Sequence, residues 1–384
     1  MGLFLNRILS ETGRYEAHII SPSTGSRDPL SVQVFKPTTW IRGPRQESET
    51  AQDQPFVRAG AWWSEFEFQR FRPRRALTKL LSDYDIVQVV AGGPSWALIA
   101  RDAGRPIGLQ VATLGAMERN ELIRGSRGAL ALWRRLMTFV VGRFEQRGLA
   151  VADAIFVENY WMRDLLSTSL SQPDRVVFAP PGVDTERFTP RSGGLRSNGH
   201  LLCVGRFGDP RKRVRLLFRA YRRLLDIRGF APPLVLAGAT GPTDSDWLLA
   251  DQLGIRSSVQ FFERVPSDEL LRLYREAMLF ILSSDEEGLG IVILEAMASG
   301  LPVVATDCGG PSTSVVEGET GFIVPRGNAE ELAQRTALLL NDSARAASMG
   351  NKGRERAVQY FSFTATARPF VDWYDRVLAA GQAP

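Results

Sequence analysis

Two glutamates in one short run, Glu287 and Glu295, are the residues whose types and spacing most suggest chemistry. The run 284–304, SDEEGLGIVILEAMASGLPVV, reads as an acidic, glycine-containing turn, a helix, a glycine stop and a strand. The Gly288-Leu289-Gly290 turn lets a backbone approach a ligand closely, because glycine carries no Cβ. The helix that opens at Ile291 presents unpaired N–H groups and the positive end of its dipole, a seat for a diphosphate. Two carboxylates at such a mouth suit bare phosphate poorly. They serve better as acceptors for sugar and ribose hydroxyls. Taken alone, the pair reads equally well as a surface acidic turn followed by an ordinary helix residue.

A second constellation changes that balance. Val204-Gly205-Arg206-Phe207-Gly208-Asp209-Pro210-Arg211-Lys212 follows an apolar strand, where a doubly wound sheet binds phosphates beyond its strand ends. Arg206 offers a planar fork for bidentate phosphate contact, and Lys212 a compact point charge. Two cations so placed can neutralise a diphosphate leaving group without a metal. The plainer reading is a basic surface loop, since Arg211, Arg213 and Arg215 crowd the same stretch.

The elements that must position these residues are strands alternating with helical patterns. Strands are predicted at 17–20, 31–35, 86–90, 107–111, 154–157 and 176–179, and again at 201–204, 234–237, 259–262, 279–282, 303–305 and 321–324. That alternation indicates α/β architecture with parallel sheets covered on both faces. Six strands on each side of the Pro/Gly/Ser-rich segment 180–199 suggest two doubly wound, Rossmann-like domains. Residues 364–380 form an amphipathic helix carrying Phe370, Trp373, Tyr374 and Val377, placed to pack back across the first domain.

With 384 residues, the chain is long enough for two cores. It has two cysteines, Cys203 and Cys308, which excludes a disulfide scaffold and suits a reducing cytoplasm. His18 and His200 stand alone, so neither a His-based metal site nor a His-driven triad is expected. No run of about eighteen apolar residues is present, and the N-terminus MGLFLNRILS fits neither a secretory signal nor a myristoylation pattern. The net charge of +5 comes almost wholly from arginine, with lysine only at positions 36, 79, 212 and 352. Charge alone does not choose between nucleic acid, membrane and phosphate ligands. The motifs do: they point to a nucleotide-diphosphate sugar, and no nucleic-acid partner is expected.

At this point the residues resemble a known family. Val204 to Lys212, Phe262 to Leu273 and Ser284 to Val304 look like retaining glycosyltransferases of family 4, the group 1 type with the GT-B fold. Pro180-Pro181-Gly182-Val183-Asp184 and Gly318 to Pro325 are similar to further motifs of that family. The resemblance implies two Rossmann-like domains facing a cleft. They would be an acceptor-side domain over 1–182, joined by the helix 364–380, and a nucleotide-sugar-binding domain over 198–360. It implies transfer of a hexose with retention of anomeric configuration, without a metal or resident cofactor, the nucleotide sugar being a co-substrate. Glu287 and Glu295 match the family's paired glutamates, the first by the donor sugar and the second at the ribose. Arg206 and Lys212 match its diphosphate clamp, and Val265 falls where the family contacts the base. With Gly288, Leu289, Gly290 and Ile291 these residues make up the expected donor site, in which Glu287, Arg206 and Lys212 are the catalytic candidates.

The sequence also departs from the family. Arg213 stands where Gly often follows the clamp lysine, and Glu263 replaces a Gly before Val265. The first strand and Gly-rich loop of the acceptor-side domain are not matched, and Thr113 to Glu118 replaces the segment with its frequent active-site histidine. A non-catalytic nucleotide-sugar-binding protein is therefore the alternative expectation. A cofactor-dependent phosphorylase is disfavoured, because Lys352 sits in a polar Gly-Asn-Lys-Gly turn.

Weaker signals remain. Asp83-Tyr84-Asp85 has a metal-holding D-x-D form but reads better as a turn before a strand. Gly92, Gly93 and Thr113 lie at strand ends and are the acceptor-side candidates, the acceptor being a glycan, a lipid-linked sugar or a small molecule. The segment 124–147 mixes six arginines with Leu130, Leu132, Trp133, Leu136, Met137, Phe139 and Val140. It fits a helix lying on the inner face of an anionic membrane, or a core-facing helix with a solvated Arg face, the simpler reading. Trp62-Trp63 with Phe66, Phe68 and Phe71 is either an acceptor-binding loop or a local hydrophobic cluster. The expected setting is cytoplasmic, peripheral on the inner face of the membrane only if the segment 124–147 lies on it.

Overall fold

The computed structural model describes all residues except 1–4, 7, 10–12, 23–24, 26, 52–53, 119–125 and 382–384. The chain forms two compact units. One holds the chain up to Glu158, then Met162–Ala179 and the chain from Ala367; the other holds Asn159–Trp161 and Pro180–Thr366.

The first unit carries two sheets. Strands β4 (Val87–Ala91), β5 (Ile107–Val111), β6 (Ala154–Val157) and β7 (Val176–Phe178) run parallel in that order. Every residue of β5 and β6 is buried, as expected for parallel strands covered on both faces. One face packs Leu109, Val111, Ile155 and Val157 on Leu77, Leu149 and Met162. The other receives the C-terminal helix Phe363–Gly381: Phe370 stacks on Phe156 at 4.3 Å and Tyr374 donates to Gln88 Oε1 at 3.1 Å.

The first-half prediction of six strands needs correction. The other sheet is separate and mixed, with β1 (Ile19–Pro22) parallel to β3 (Gln54–Ala59) and β2 (Gln46–Ala51) antiparallel to it. The β2–β3 hairpin escaped prediction because β2, QESETA, has almost no apolar residue to mark a face. The predicted strand at 31–35 is not one. Only Val32 makes a bridge, to Trp62, while Ser31 bonds Asp28 and the Gln33 amide bonds Thr39 Oγ1. Such local side-chain bonds compete with a ladder, and the alternation of SVQVF misleads.

The basic segment forms the helix Gly128–Val151, but its buried residues are Val141, Glu145, Gly148 and Leu149, all in the second half. Leu130, Leu132, Trp133, Leu136 and Phe139 are exposed, so the core-facing reading fails for the first half.

The second unit holds one six-stranded sheet in the order β10-β9-β8-β11-β12-β13, each neighbouring pair parallel. The strands are β8 (His200–Val204), β9 (Leu234–Gly238), β10 (Val259–Glu263), β11 (Ala277–Leu282), β12 (Val303–Thr306) and β13 (Gly321–Val324). Alternation along β8 splits the core, Leu201 and Cys203 facing one cluster and Leu202 and Val204 the other. From β8 the chain builds outward to β10, then returns and builds the other way from β11. The reversal lies between β8 and β11, and a sheet of this kind offers its ligand crevice beyond those strand ends. The segment 180–199 joins this unit. Val183 donates to Phe361 O at 2.8 Å, and the Arg354 guanidinium donates to Thr185, Phe188 and Ala298 carbonyls.

Candidate functional site

Both loops that the sequence singles out leave the sheet at this switch point, one after β8 and one after β11. The first folds as a short 3₁₀ turn over Pro210–Lys212, capped by Asp209, whose carboxylate accepts from the Arg211 amide at 3.0 Å. Proline after the cap suits this turn, since its fixed φ and missing N–H cost nothing there. Ser283 at the end of β11 anchors the turn by donating to Lys212 O at 2.9 Å, and the Asp285 amide donates to Arg211 O at 2.8 Å.

The two loops then meet through charge. Lys212 Nζ donates to Glu287 Oε1 at 2.7 Å, and Ser284 Oγ donates to the same oxygen at 2.6 Å. Flanking it, Arg213 pairs with Asp285 at 3.1 Å and Arg211 approaches Glu286 at 3.9 Å. Three consecutive cations thus face three consecutive carboxylates. The Lys212–Glu287 pair is the most enclosed, with 16% and 10% of the side chains exposed. Arg206 stands apart, 65% exposed, with its nearest carboxylate Asp209 at 3.8 Å. Its guanidinium is open to a ligand.

Arg213 resolves the departure from Lys-Gly. It adopts φ 49°, ψ 44°, the left-handed region that glycine enters freely. The loop keeps the shape a glycine would give it, and the Asp285 pair offsets part of the strain. Arg264 does the same before Val265, at φ 48°, with its amide on Gly238 O.

Beyond Glu287 the turn is shaped by glycines. Gly290 caps the helix Ile291–Ala298 at φ 80°, and a Cβ on Gly310 would lie 2.7 Å from the Leu289 backbone. Asn159 Nδ2 donates to Gly288 O and holds the turn from the other side. Leu289 is buried, whereas Ile291 is exposed at the helix mouth. Glu295 lies four residues inside that helix, about 6 Å along its axis and a little over one turn from the mouth. It is half-buried and accepts from Tyr274 Oη at 2.7 Å. Burial pushes its carboxyl up to about 7, against the opposing effects of the Tyr274 hydrogen bond and the Arg187 charge. Val265 is half-buried at the start of the loop before the helix Ser267–Glu276.

In the other unit, Gly92 and Thr113 are brought together at the ends of β4 and β5, the Thr113 amide donating to Gly92 O at 3.0 Å. Glu145 lies beside them; it accepts from the Gly115 amide at 2.7 Å and would stand 3.3 Å from a Cβ on Gly93. Sequence reasoning missed Glu145, Tyr274 and Asn159. None carries a local signal, since each reaches its place only through long-range packing. Ser284 was inside the quoted motif but was assigned no role there; its contact with Glu287 comes from the structure. Among the described residues no cluster of His, Cys, Asp and Glu is arranged to hold a metal ion.

Residues 190–356 match the family described as glycosyl transferases group 1. A D-inositol 3-phosphate glycosyltransferase of Mycobacteroides abscessus is 32% identical over 310 residues, covering 77% of this chain and 66% of the relative. A GDP-mannose-dependent alpha-(1-6)-phosphatidylinositol monomannoside mannosyltransferase of Mycolicibacterium smegmatis is 32% identical over 225 residues, covering 54% of this chain and 58% of the relative. The chain spans 60%, 66% and 58% of the length of three inositol-phosphate glycosyltransferase relatives. In fold it is similar to a sucrose-phosphate synthase of Thermosynechococcus elongatus, with TM-score 0.71 and 21% identity over 98% of this chain and 93% of that one. That likeness shows the fold, two Rossmann-like domains of the GT-B kind. It is over its C-terminal segment, residues 190–356, that this chain matches the group 1 glycosyl transferases.

Proposed function

We propose that the protein transfers a hexose from a nucleotide-diphosphate sugar to an acceptor, with retention and without a metal. The observation that carries this is the convergence of the β8 and β11 loops in the Lys212–Glu287 contact, beside the open N-terminus of the helix Ile291–Ala298. Lys212, the exposed Arg206 and the helix N–H groups supply positive charge where a departing diphosphate gathers negative charge. Glu287, held by Lys212 and Ser284, lies by the donor sugar; Glu295, positioned by Tyr274, accepts from the ribose. Val265 faces the base. The bond from the anomeric carbon to diphosphate oxygen breaks, and the acceptor hydroxyl oxygen bonds that carbon on the same face, its proton passing to the departing diphosphate. Gly92, Gly93 and Thr113 line the acceptor side. The relatives' names, with GDP-mannose and inositol phosphates in them, favour a hexose donor and a phosphate-bearing acceptor.

The test is a thermal-shift screen of UDP-, GDP- and ADP-sugars, followed by turnover with the donor that binds. One donor should raise the melting point and be consumed, because a ligand selective for the folded state stabilises it. Tight binding without transfer or hydrolysis under any acceptor would instead make the chain a non-catalytic nucleotide-sugar-binding protein.

The exposed half of the Gly128–Val151 helix favours peripheral contact with an anionic membrane. Leu130, Leu132, Trp133, Leu136 and Phe139 stand out to solvent beside Arg134, Arg135 and Arg143. No helix among the described residues is long and apolar enough to cross a membrane, so this contact would lie in the interface. Vesicles containing phosphatidylglycerol should sediment the protein, neutral ones should not, and Leu132→Glu should abolish the effect. Equal sedimentation with both vesicle types would refute it.

A further inference from the structure

The structure divides the aromatic stretch 62–71 into two parts. Phe71 is buried in the core, 5.0 Å edge-on from Trp96, and the half-buried Phe68 packs on Phe144. Trp62, Trp63 and Phe66 are instead exposed, at 46%, 42% and 42%. Trp63 also sits at φ 50°, a left-handed conformation that a bulky side chain rarely adopts. Such an outlier persists where its surroundings hold it, and it is a reason to ask what the side chain is held for.

Trp62 and Trp63 line a cavity of about 280 Å³ together with Gln69, Arg72, Pro73 and Arg74. Its volume is near the lower end of the range for small-ligand sites, roughly 300–1,000 Å³, and fits a single sugar ring. Two of its six lining residues are arginines, and among the described residues neither Arg72 nor Arg74 forms an ion pair. Arg72 is exposed. Arg74 is 9% exposed; it donates to the carbonyls of Ala59, Gly60 and Arg70, while its Nε has no partner. Burial pulls the Arg74 guanidinium down to about 10, against the raising effect of Asp28, whose own carboxylate is taken up by Arg58 and Ser31. A cavity lined by two guanidinium groups, neither in an ion pair with a carboxylate, calls for an anion. Exposed indole faces beside them call for a flat, C–H-bearing surface, because the ring face carries the negative end of its quadrupole. A pyranose ring supplies that surface, and Gln69 offers both a donor and an acceptor for its hydroxyls.

We propose that Trp62, Trp63, Gln69, Arg72 and Arg74 form a binding site for a saccharide bearing a carboxylate or phosphate. The ring stacks on the tryptophans and the anionic group pairs with Arg72, above the buried charge of Arg74. As a place for the acceptor it rests on the sugar-transferase reading, but saccharide binding itself does not.

The full chain, labelled with 5-fluorotryptophan, is titrated and followed by fluorine NMR. Resonances of Trp62 and Trp63 are assigned by their loss in Trp62→Phe and Trp63→Phe. Methyl β-D-glucuronide or glucose 6-phosphate should move both resonances saturably, whereas methyl β-D-glucoside and inorganic phosphate should bind at least about tenfold more weakly. Arg72→Ala and Arg72→Gln should each weaken the anionic sugar by at least about tenfold, while the other six of the eight tryptophans keep their resonances. The proposal is overturned if no probe moves Trp62 or Trp63, if the neutral glucoside binds as well as the glucuronide, if phosphate alone binds as well, or if neither Arg72 variant matters. Nucleoside diphosphate binding, measured on the same sample, reports separately on the donor site. Its loss with the saccharide response intact would sink the donor reading and leave this site standing.

Discussion

Replacing Lys212 by Met tests the centre of the site, because stability and ligand affinity should then part company. In the protein the ammonium and the Glu287 carboxylate are 2.7 Å apart and largely enclosed, with Ser284 on the same carboxylate oxygen. Removing one partner of a buried pair costs about 3–5 kcal/mol, mostly from the charge left behind. Here Ser284 still serves the stranded carboxylate and some solvent reaches it, so about 2–3 kcal/mol is expected. Glu287→Gln should cost a similar amount by stranding the lysine. The double variant Lys212→Met/Glu287→Gln strands neither charge and should return to within about 1 kcal/mol of the parent. Affinity follows a different pattern. Both variants lacking Lys212 should lose about 1.5–3 kcal/mol in binding the cognate nucleoside diphosphate, roughly ten- to 150-fold, while Glu287→Gln alone keeps it. Urea unfolding provides the stabilities and calorimetry the affinities. If the double variant is as unstable as Lys212→Met, the pair is not coupled and the geometry is misread. If Lys212→Met binds the diphosphate as well as the parent, the clamp assignment is wrong.

Two further outcomes follow from the same loops. The Glu295 carboxyl, raised to about 7 by burial from an ordinary 4.5, binds its proton more tightly folded than unfolded. Its stabilising contribution is therefore complete below about pH 4.5 and lost as pH rises through 7, up to roughly 3 kcal/mol in all; Glu295→Gln should remove this slope from unfolding curves, and an unchanged slope would contradict it. At Arg213, left-handed φ makes Arg213→Gly close to neutral, within about 1 kcal/mol, whereas a β-branched Arg213→Val should lose about 1–2 kcal/mol beyond it. Equal stability of the two variants would mean that the loop does not hold this conformation.

Much of the second unit was legible from its residues. Each of its six predicted strands appears within two residues of the expected position, because buried parallel strands are short apolar runs bounded by turns. The turn at 288–290 was legible for the same kind of reason: glycines at 288 and 290, a helix start and a glycine stop lie within one local stretch. The first unit was harder. Its polar β2 strand has no burial pattern, and the 31–35 alternation belongs to a loop held by side-chain bonds. The aromatic stretch 62–71 was ambiguous because exposure is not a local property. Only the packed structure sends Phe71 inward and leaves Trp62 and Trp63 outside.

The sequence by itself determined the identities of Glu287, Glu295, Arg206 and Lys212, and the strand-end loops that carry them. Only the tertiary structure decided what those residues do to one another. Lys212 and Glu287 are 75 positions apart, and no propensity links them. They meet because the strand order reverses between β8 and β11, which sets two distant loops side by side at one end of the sheet. Tyr274 reaches Glu295 through core packing alone. Local periodicity marks the strands of the second unit. Contact between the loops depends on sheet order, a property of long-range pairing that no window of sequence contains.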